Sequence, residues 1–202
     1  MKQKCRTNVQ SGRSMIEMLG VLAIIGVLSV GGIAGYSKAM TKYRINKTID
    51  QITQISQNVR ILYARQKRYR NLNTRILYKA NLAPKEMFGS GYSMTNAWGE
   101  FFDVEISPDS ANFAIVTYIP SEEACIELAT HDWGSRDTTG LNTVIIVSTD
   151  EPRENVLGNC SGGVGNGYAV ACSGGSNISV PMPVDVAVDA CSNTADVTWI
   201  FQ

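Results

Sequence analysis

From Met18 to Ser37 the chain runs for twenty residues without a charged side chain, enough to cross the hydrocarbon core of a bilayer as one helix. A single carboxylate, Glu17, stands at the entrance of that run. A carboxylate inside an apolar span costs about 2.5–3.5 kcal/mol near the bilayer centre and less towards an end, so its presence points to a task. Residues 1–12 carry Lys2, Lys4 and Arg6 with no acid beside them and read as a basic leader too polar to pack. Positive charge ahead of an apolar segment predicts that the leader stays cytoplasmic while the bulk of the chain lies across the membrane.

The helix is expected to continue beyond the apolar run. Ile45, Ile49, Ile52, Ile55, Val59 and Leu62 recur at steps of three and four, the signature of one apolar stripe. No proline occurs before Pro84, and Gly31, Gly32 and Gly35 are weak points, each costing about 1 kcal/mol relative to alanine. A helix from about Arg13 to Arg68 is predicted, with residues 15–36 as its apolar segment, and it would be roughly 80 Å long. Its first half is apolar all round and its second half amphipathic, so a globular domain, residues 69–202, should pack on the second half.

In that domain Asn71 to Leu82 reads as a loop with a short helix. Phe102, Val104 and Ile106 alternate with Asp103 and Glu105 as in a half-buried strand, and after a turn at 107–112 the run Phe113 to Tyr118 returns as its partner. Ser121-Glu-Glu opens a helix with carboxylates at its positive end, and that helix carries Cys125. Thr143 to Ser148 is a further strand, Val184 to Cys191 a short helix, and Val197, Trp199 and Phe201 alternate with Asp196, Thr198 and Ile200 in a terminal strand. The predicted class is α+β: an antiparallel sheet laid on a long helix.

Formal charge is zero, with 18 basic and 18 acidic residues, and removal of the leader would leave 15 against 18. Nothing in that balance makes nucleic acid the main partner. Cys125, Cys160, Cys172 and Cys191 all lie beyond the apolar segment, which places them in an oxidising compartment as two disulfides. Zinc is the competing reading, but there is no C-x₂-C pair and His131 is the one histidine. Four cysteines permit three pairings.

Other features carry no chemistry. His131 lies in a turn-like Thr130-His-Asp-Trp133 with no nucleophile in its neighbourhood. Glu122 and Glu123 are adjacent on a helix start and point in different directions. Gly162-Gly-Val-Gly-Asn-Gly167 satisfies neither nucleotide-binding glycine pattern and reads, between Cys160 and Cys172, as a closed surface loop within the glycine-rich stretch Gly158 to Gly175. No enzymatic activity, cofactor or metal is expected.

Gly12 followed by Arg13 and Glu17 at the head of an apolar run resembles the prepilin cleavage site of type IV pilins and their pseudopilin relatives: a basic leader ending in Gly, a new N-terminus, and Glu at the fifth mature position. Arg13 departs from the Phe or Met usual at the first mature position, whose amine is methylated. The C-terminal region is similar to type IVb pilins, in particular those of conjugative thin pili, in Thr95-Asn-Ala-Trp-Gly99 before a hairpin, in Cys125 on a helix, and in Cys191 followed by Asn193-Thr-Ala-Asp-Val-Thr-Trp199.

The resemblance implies a structural subunit of a type IV pilus. A prepilin peptidase would cut between Gly12 and Arg13, and the helix would wait in the bacterial inner membrane with the C-terminal domain in the periplasm. An assembly platform with its ATPase would then extrude it into an extracellular homopolymer. Glu17 would be an assembly residue, pairing with the freed amine of Arg13 in a neighbouring subunit and setting axial register. The resemblance also favours Cys125 pairing with Cys191; Cys160 with Cys172 follows only from proximity in sequence. A minor pilin or a type II secretion pseudopilin is the nearest alternative. A membrane-tethered or secreted binding domain, with an ordinary signal sequence cut near Gly32-Ile-Ala34, is the alternative of another class.

Overall fold

The computed structural model describes residues 15–66, 68–107, 110–134, 136–148, 168–172, 181–191 and 195–202. The chain divides into two compact units, Met1–Met40 and Thr41–Gln202. The first helix, α1 (Met15–Tyr63), supplies the described part of the first unit and begins the second. The boundary between these units lies within α1, and the amphipathic half of the helix contributes to the core of the second.

In the first unit every described residue from Met15 to Ala39 is exposed, including Leu19, Leu22, Ile24, Ile25, Leu28 and Ile33. A helix that is apolar all round and covered by nothing has its surface matched to lipid or to other helices, not to water.

In the second unit α1 buries Ile45, Thr48, Ile52, Ile55, Val59 and Tyr63 at helical spacing. The seam shifts at its end. Leu62, expected on the stripe, is 43% exposed, and Tyr63 takes its place at 6%. The Tyr63 ring packs on Tyr69 at 5.5 Å, and its hydroxyl donates to the Arg70 carbonyl at 3.2 Å. The helix closes there, short of Arg68, with Gln66 N–H donating to the Tyr63 carbonyl and Tyr69 N–H crossing to Ser110.

The body then builds α2 (Thr74–Lys79), capped by the Asn73 side chain on Ile76 N–H at 3.0 Å. It continues with β1 (Met94–Thr95), β2 (Phe101–Ile106), β3 (Phe113–Ile119), α3 (Glu122–Thr130), α4 (Arg136–Thr139), β4 (Leu141–Ser148), β5 (Tyr168–Cys172), α5 (Val184–Ala190) and β6 (Ala195–Phe201). The strands form one antiparallel sheet in the order β1-β2-β3-β6-β4-β5. The expected hairpin is β2 and β3, in register Val104 to Ile115. The C-terminal strand enters the middle of the sheet, where Trp199 lies between Ile115 of β3 and Val144 of β4.

Two sequence expectations change. β6 is buried along its whole length, Asp196, Thr198 and Ile200 included, so neither of its faces has the half-solvated character that alternation implies. Residues 168–172, for which the sequence predicted no element, form β5 within the glycine-rich stretch Gly158 to Gly175, with Val170 opposite Ile145. Tyr-Ala-Val-Ala-Cys is a short run without period, and the surrounding glycines hide it. The rest of that segment, apart from these five residues, lies outside the described residues.

The core of the second unit joins the α1 isoleucines to Phe102, Phe113, Trp199 and Phe201. Phe113 stacks on Phe201 at 5.2 Å and meets Tyr69 edge-on at 4.7 Å, while Trp133 meets Trp199 edge-on at 5.4 Å. This core is where the sheet lies on the helix, as the α+β reading expects.

Candidate functional site

Glu17 lies in the first described turn of α1, exposed, at the head of the uncovered apolar surface. Gly12 and Arg13, the cleavage pair read from the sequence, lie outside the described residues. At Gly20, Gly26, Gly31, Gly32 and Gly35 an added Cβ would meet nothing within 4 Å, so the helix has five flat places on an open surface. Small residues on an apolar helix let a second helix approach closely. Ser29, the one hydroxyl between Val21 and Tyr36, donates to its own helix at Ile25 O, 2.7 Å away, and leaves the apolar character intact.

The far end of the chain is secured covalently. Cys125 on α3 and Cys191 after α5 form a disulfide across 66 residues of sequence, with both side chains buried. The two helices are brought together by packing and by Met182 N–H donating to Ala129 O. Because Cys191 directly precedes the segment leading into β6, this link ties the central strand to α3. Cys172 ends β5 opposite Thr143. Its candidate partner Cys160 lies outside the described residues.

Charged contacts fix α3 and the turn at Glu86 to α1. Lys42 donates to Glu127 and lies 3.7 Å from Glu123 on α3, and Lys47 bonds Glu86 at 2.9 Å. The hydrogen bond to Glu127 holds the Lys42 ammonium above its ordinary value against an opposing effect of desolvation; the bond to Glu86 does the same for Lys47. Near the other end Arg60 donates to Thr138 O at 3.1 Å and packs on Gly140, whose φ of +73° and lack of a side chain admit the guanidinium. Burial pushes the Tyr69 phenol up, with Arg60 opposing, and burial pushes Tyr63 up as well. A cleft of about 680 Å³ opens there between Arg60, Arg68, Tyr69 and Gln202.

His131 meets Trp133 edge-on at 4.8 Å, and Trp133 donates to Leu128 O at 3.0 Å, so the histidine belongs to an aromatic corner. Among the described residues no group of three or more His, Cys, Asp or Glu is placed to hold a metal. Sequence reading missed Lys42 and Arg60, the two cations that clamp α3 and the α4–β4 corner to α1. Their partners are 85 and 78 residues away, beyond any local pattern.

A helix whose first part is bare and apolar, and whose second part carries an antiparallel sheet closed by a C-terminal disulfide, defines the pilin class of fold. Residues 37–198 match the Bundlin family, and the chain belongs to it. The family is one of type IV pilin-like pilus subunits, so the chain is a pilin subunit that assembles with its own copies into a pilus outside the cell. The apolar part of α1 is compatible with membrane anchoring. No curated protein matches the chain.

Proposed function

We propose that the chain is the structural subunit of a type IV pilus of the type IVb kind. A prepilin peptidase cuts it between Gly12 and Arg13. It is held in the inner membrane by residues 15–36, with its body in the periplasm, and is drawn into a fibre by an assembly platform and its ATPase. It acts as a building block rather than as an enzyme. The observation that carries this reading is the junction on one chain of a pilin-family body with a fully exposed apolar helix headed by Glu17.

The mechanism follows from solvent. Before assembly, lipid covers the apolar helix at no cost to its side chains. In the fibre, copies of the same helix replace lipid, and the five glycine positions let backbones approach. Inside such a dry bundle a carboxylate is tolerated only when paired. Glu17 meets that condition through the amine freed at Arg13 of the neighbour, a group with an ordinary pKa of about 8 and therefore cationic at neutral pH. The pair permits one axial offset and opposes others, so Glu17 specifies register.

Replacement of Glu17 by Val tests this directly. Membrane insertion and accumulation of the subunit should be unchanged, and fibres recovered by shearing should be lost. Fibres at wild-type yield would contradict the role given to Glu17.

A further inference from the structure

The net charge of zero hides a segregation along the chain. Between Asp50 and Glu86 there are eight basic residues and no acidic one, whereas from Glu86 to Gln202 there are sixteen acidic residues and two basic, Arg136 and Arg153. In the second unit three of the basic residues follow the end of α1. Arg65 follows directly on the end of α1 at Tyr63, Arg70 accepts the Tyr63 hydroxyl on its carbonyl, and Arg75 is on α2; all three side chains are exposed. Among the described residues none of these three takes part in a salt bridge.

Three exposed acidic residues, Glu122, Asp185 and Asp189, belong to elements held at the other end of the same stretch of helix. Lys42, near the start of the second unit, holds α3 through Glu127 and Glu123 and so fixes the neighbouring Glu122, which is exposed. Asp185 and Asp189 are exposed on α5, which packs on α3 and is tied to it by Cys125–Cys191. From Lys42 to Tyr63 the helix rises about 30 Å at about 1.5 Å per residue. That is several times the screening length of about 8 Å at physiological ionic strength, so neither end neutralises the other within one molecule.

We propose that the basic surface of Arg65, Arg70 and Arg75 on one subunit docks, end to end, on the acidic surface of Glu122, Asp185 and Asp189 on a second copy. The inference rests on the pilus-subunit reading and adds to it a polar contact between globular bodies. The partner is a second copy because the complementary charge is supplied by this chain itself; an anionic polymer or lipid would engage the basic end and leave the acidic end unmatched. A contact between two different surfaces does not close on itself, and its repetition gives an open filament, the assembly a pilus requires. Charge matching of this kind selects register and orientation more than it adds affinity.

The test uses the full chain in its own assembly system, with fibre yield at physiological salt as the readout and the Cys125–Cys191 disulfide as the check on folding. Arg65→Glu with Arg70→Glu, and separately Glu122→Lys with Asp185→Lys, should each lower yield about tenfold or more, because like charges then face each other. The chain carrying all four reversals should recover to within about threefold of wild type, since the pairing is restored with its sign exchanged. Should a pair of reversals fail the disulfide check, Arg75→Glu and Asp189→Lys replace it. Wild-type yield from both reversed chains, or no recovery in the combined chain, overturns the inference and leaves the pilus reading intact. Absence of fibres from the wild type overturns both. Loss of duplex DNA binding by R65E/R70E fibres formed at normal yield would assign the basic surface to nucleic acid and overturn the inference.

Discussion

Asn96 shows how much structure one side chain can carry. It is 6% exposed, and its amide donates to Thr117 Oγ1 at 2.9 Å and to Tyr118 O at 2.8 Å. Its Oδ1 accepts from Trp98 N–H at 2.9 Å and Glu100 N–H at 3.0 Å. The side chain thus closes the turn before β2 and fastens it to β3. In the sequence, Thr95-Asn-Ala-Trp-Gly99 was readable only through resemblance, because the bonds run to residues 21 and 22 positions away. Asn96→Ala should cost about 2–4 kcal/mol, since it leaves buried donors and acceptors unpaired. Denaturant unfolding checks this, and a cost below about 0.5 kcal/mol would contradict it. Gly140 works by absence instead. A Cβ there would lie 2.6 Å from Gln202 O and 2.7 Å from Arg60 Nε, at a φ of +73°. Gly91 has a similar φ of +70° with nothing within 4 Å. Gly91→Ala should therefore cost about 1–2 kcal/mol, the left-handed penalty alone, and Gly140→Ala clearly more. Equal costs would place no weight on the Arg60 contact.

At the scale of elements, local periodicity carried the reading wherever an element has one wet face. The α1 stripe, the β2–β3 hairpin, the capped start of α3 and the short α5 were all legible for that reason. Legibility failed where burial is two-sided or the element is short. β6 alternates in sequence and yet is buried throughout, and β5 is a five-residue run among glycines. The choice of Tyr63 over Leu62 at the end of the stripe depends on Tyr69 and Arg70, which a one-helix pattern does not contain. The disulfide between α3 and the end of α5 closes 66 residues, and the chain-entropy relation gives about 4 kcal/mol for a loop of that size. Cys125→Ser with Cys191→Ser should lower unfolding free energy by about that amount and free the β6 end to exchange its amides first. Alkali should act on the same scale. Tyr63, Tyr69, Lys42 and Lys47 all hold their protons more firmly in the fold than in the open chain. Their contribution is complete below about pH 10 and is lost as pH rises through the raised folded values. A denaturation series from pH 8 to 12 should show the decline, and Tyr69→Phe should make it shallower.

At the scale of the whole molecule the chain combines a unit made for a nonaqueous surrounding with one made for water. The described part of the first, from Met15, is an apolar helix exposed through Ala39; the second has its own core, disulfide and sheet. Family membership rests on residues 37–198, so it speaks for the second unit, while the argument for processing and register rests on Gly12, Arg13 and Glu17. Sites of this proposed kind would be readable in sequence, because cleavage and register would depend on spacing along the chain and not on a folded pocket. Where the mature chain begins therefore tests processing and register most directly. N-terminal sequencing of subunits taken from sheared fibres should read Arg-Ser-Met-Ile-Glu, beginning at Arg13. A start near Gly35 would remove both Glu17 and the apolar helix from the mature protein, and would contradict that processing.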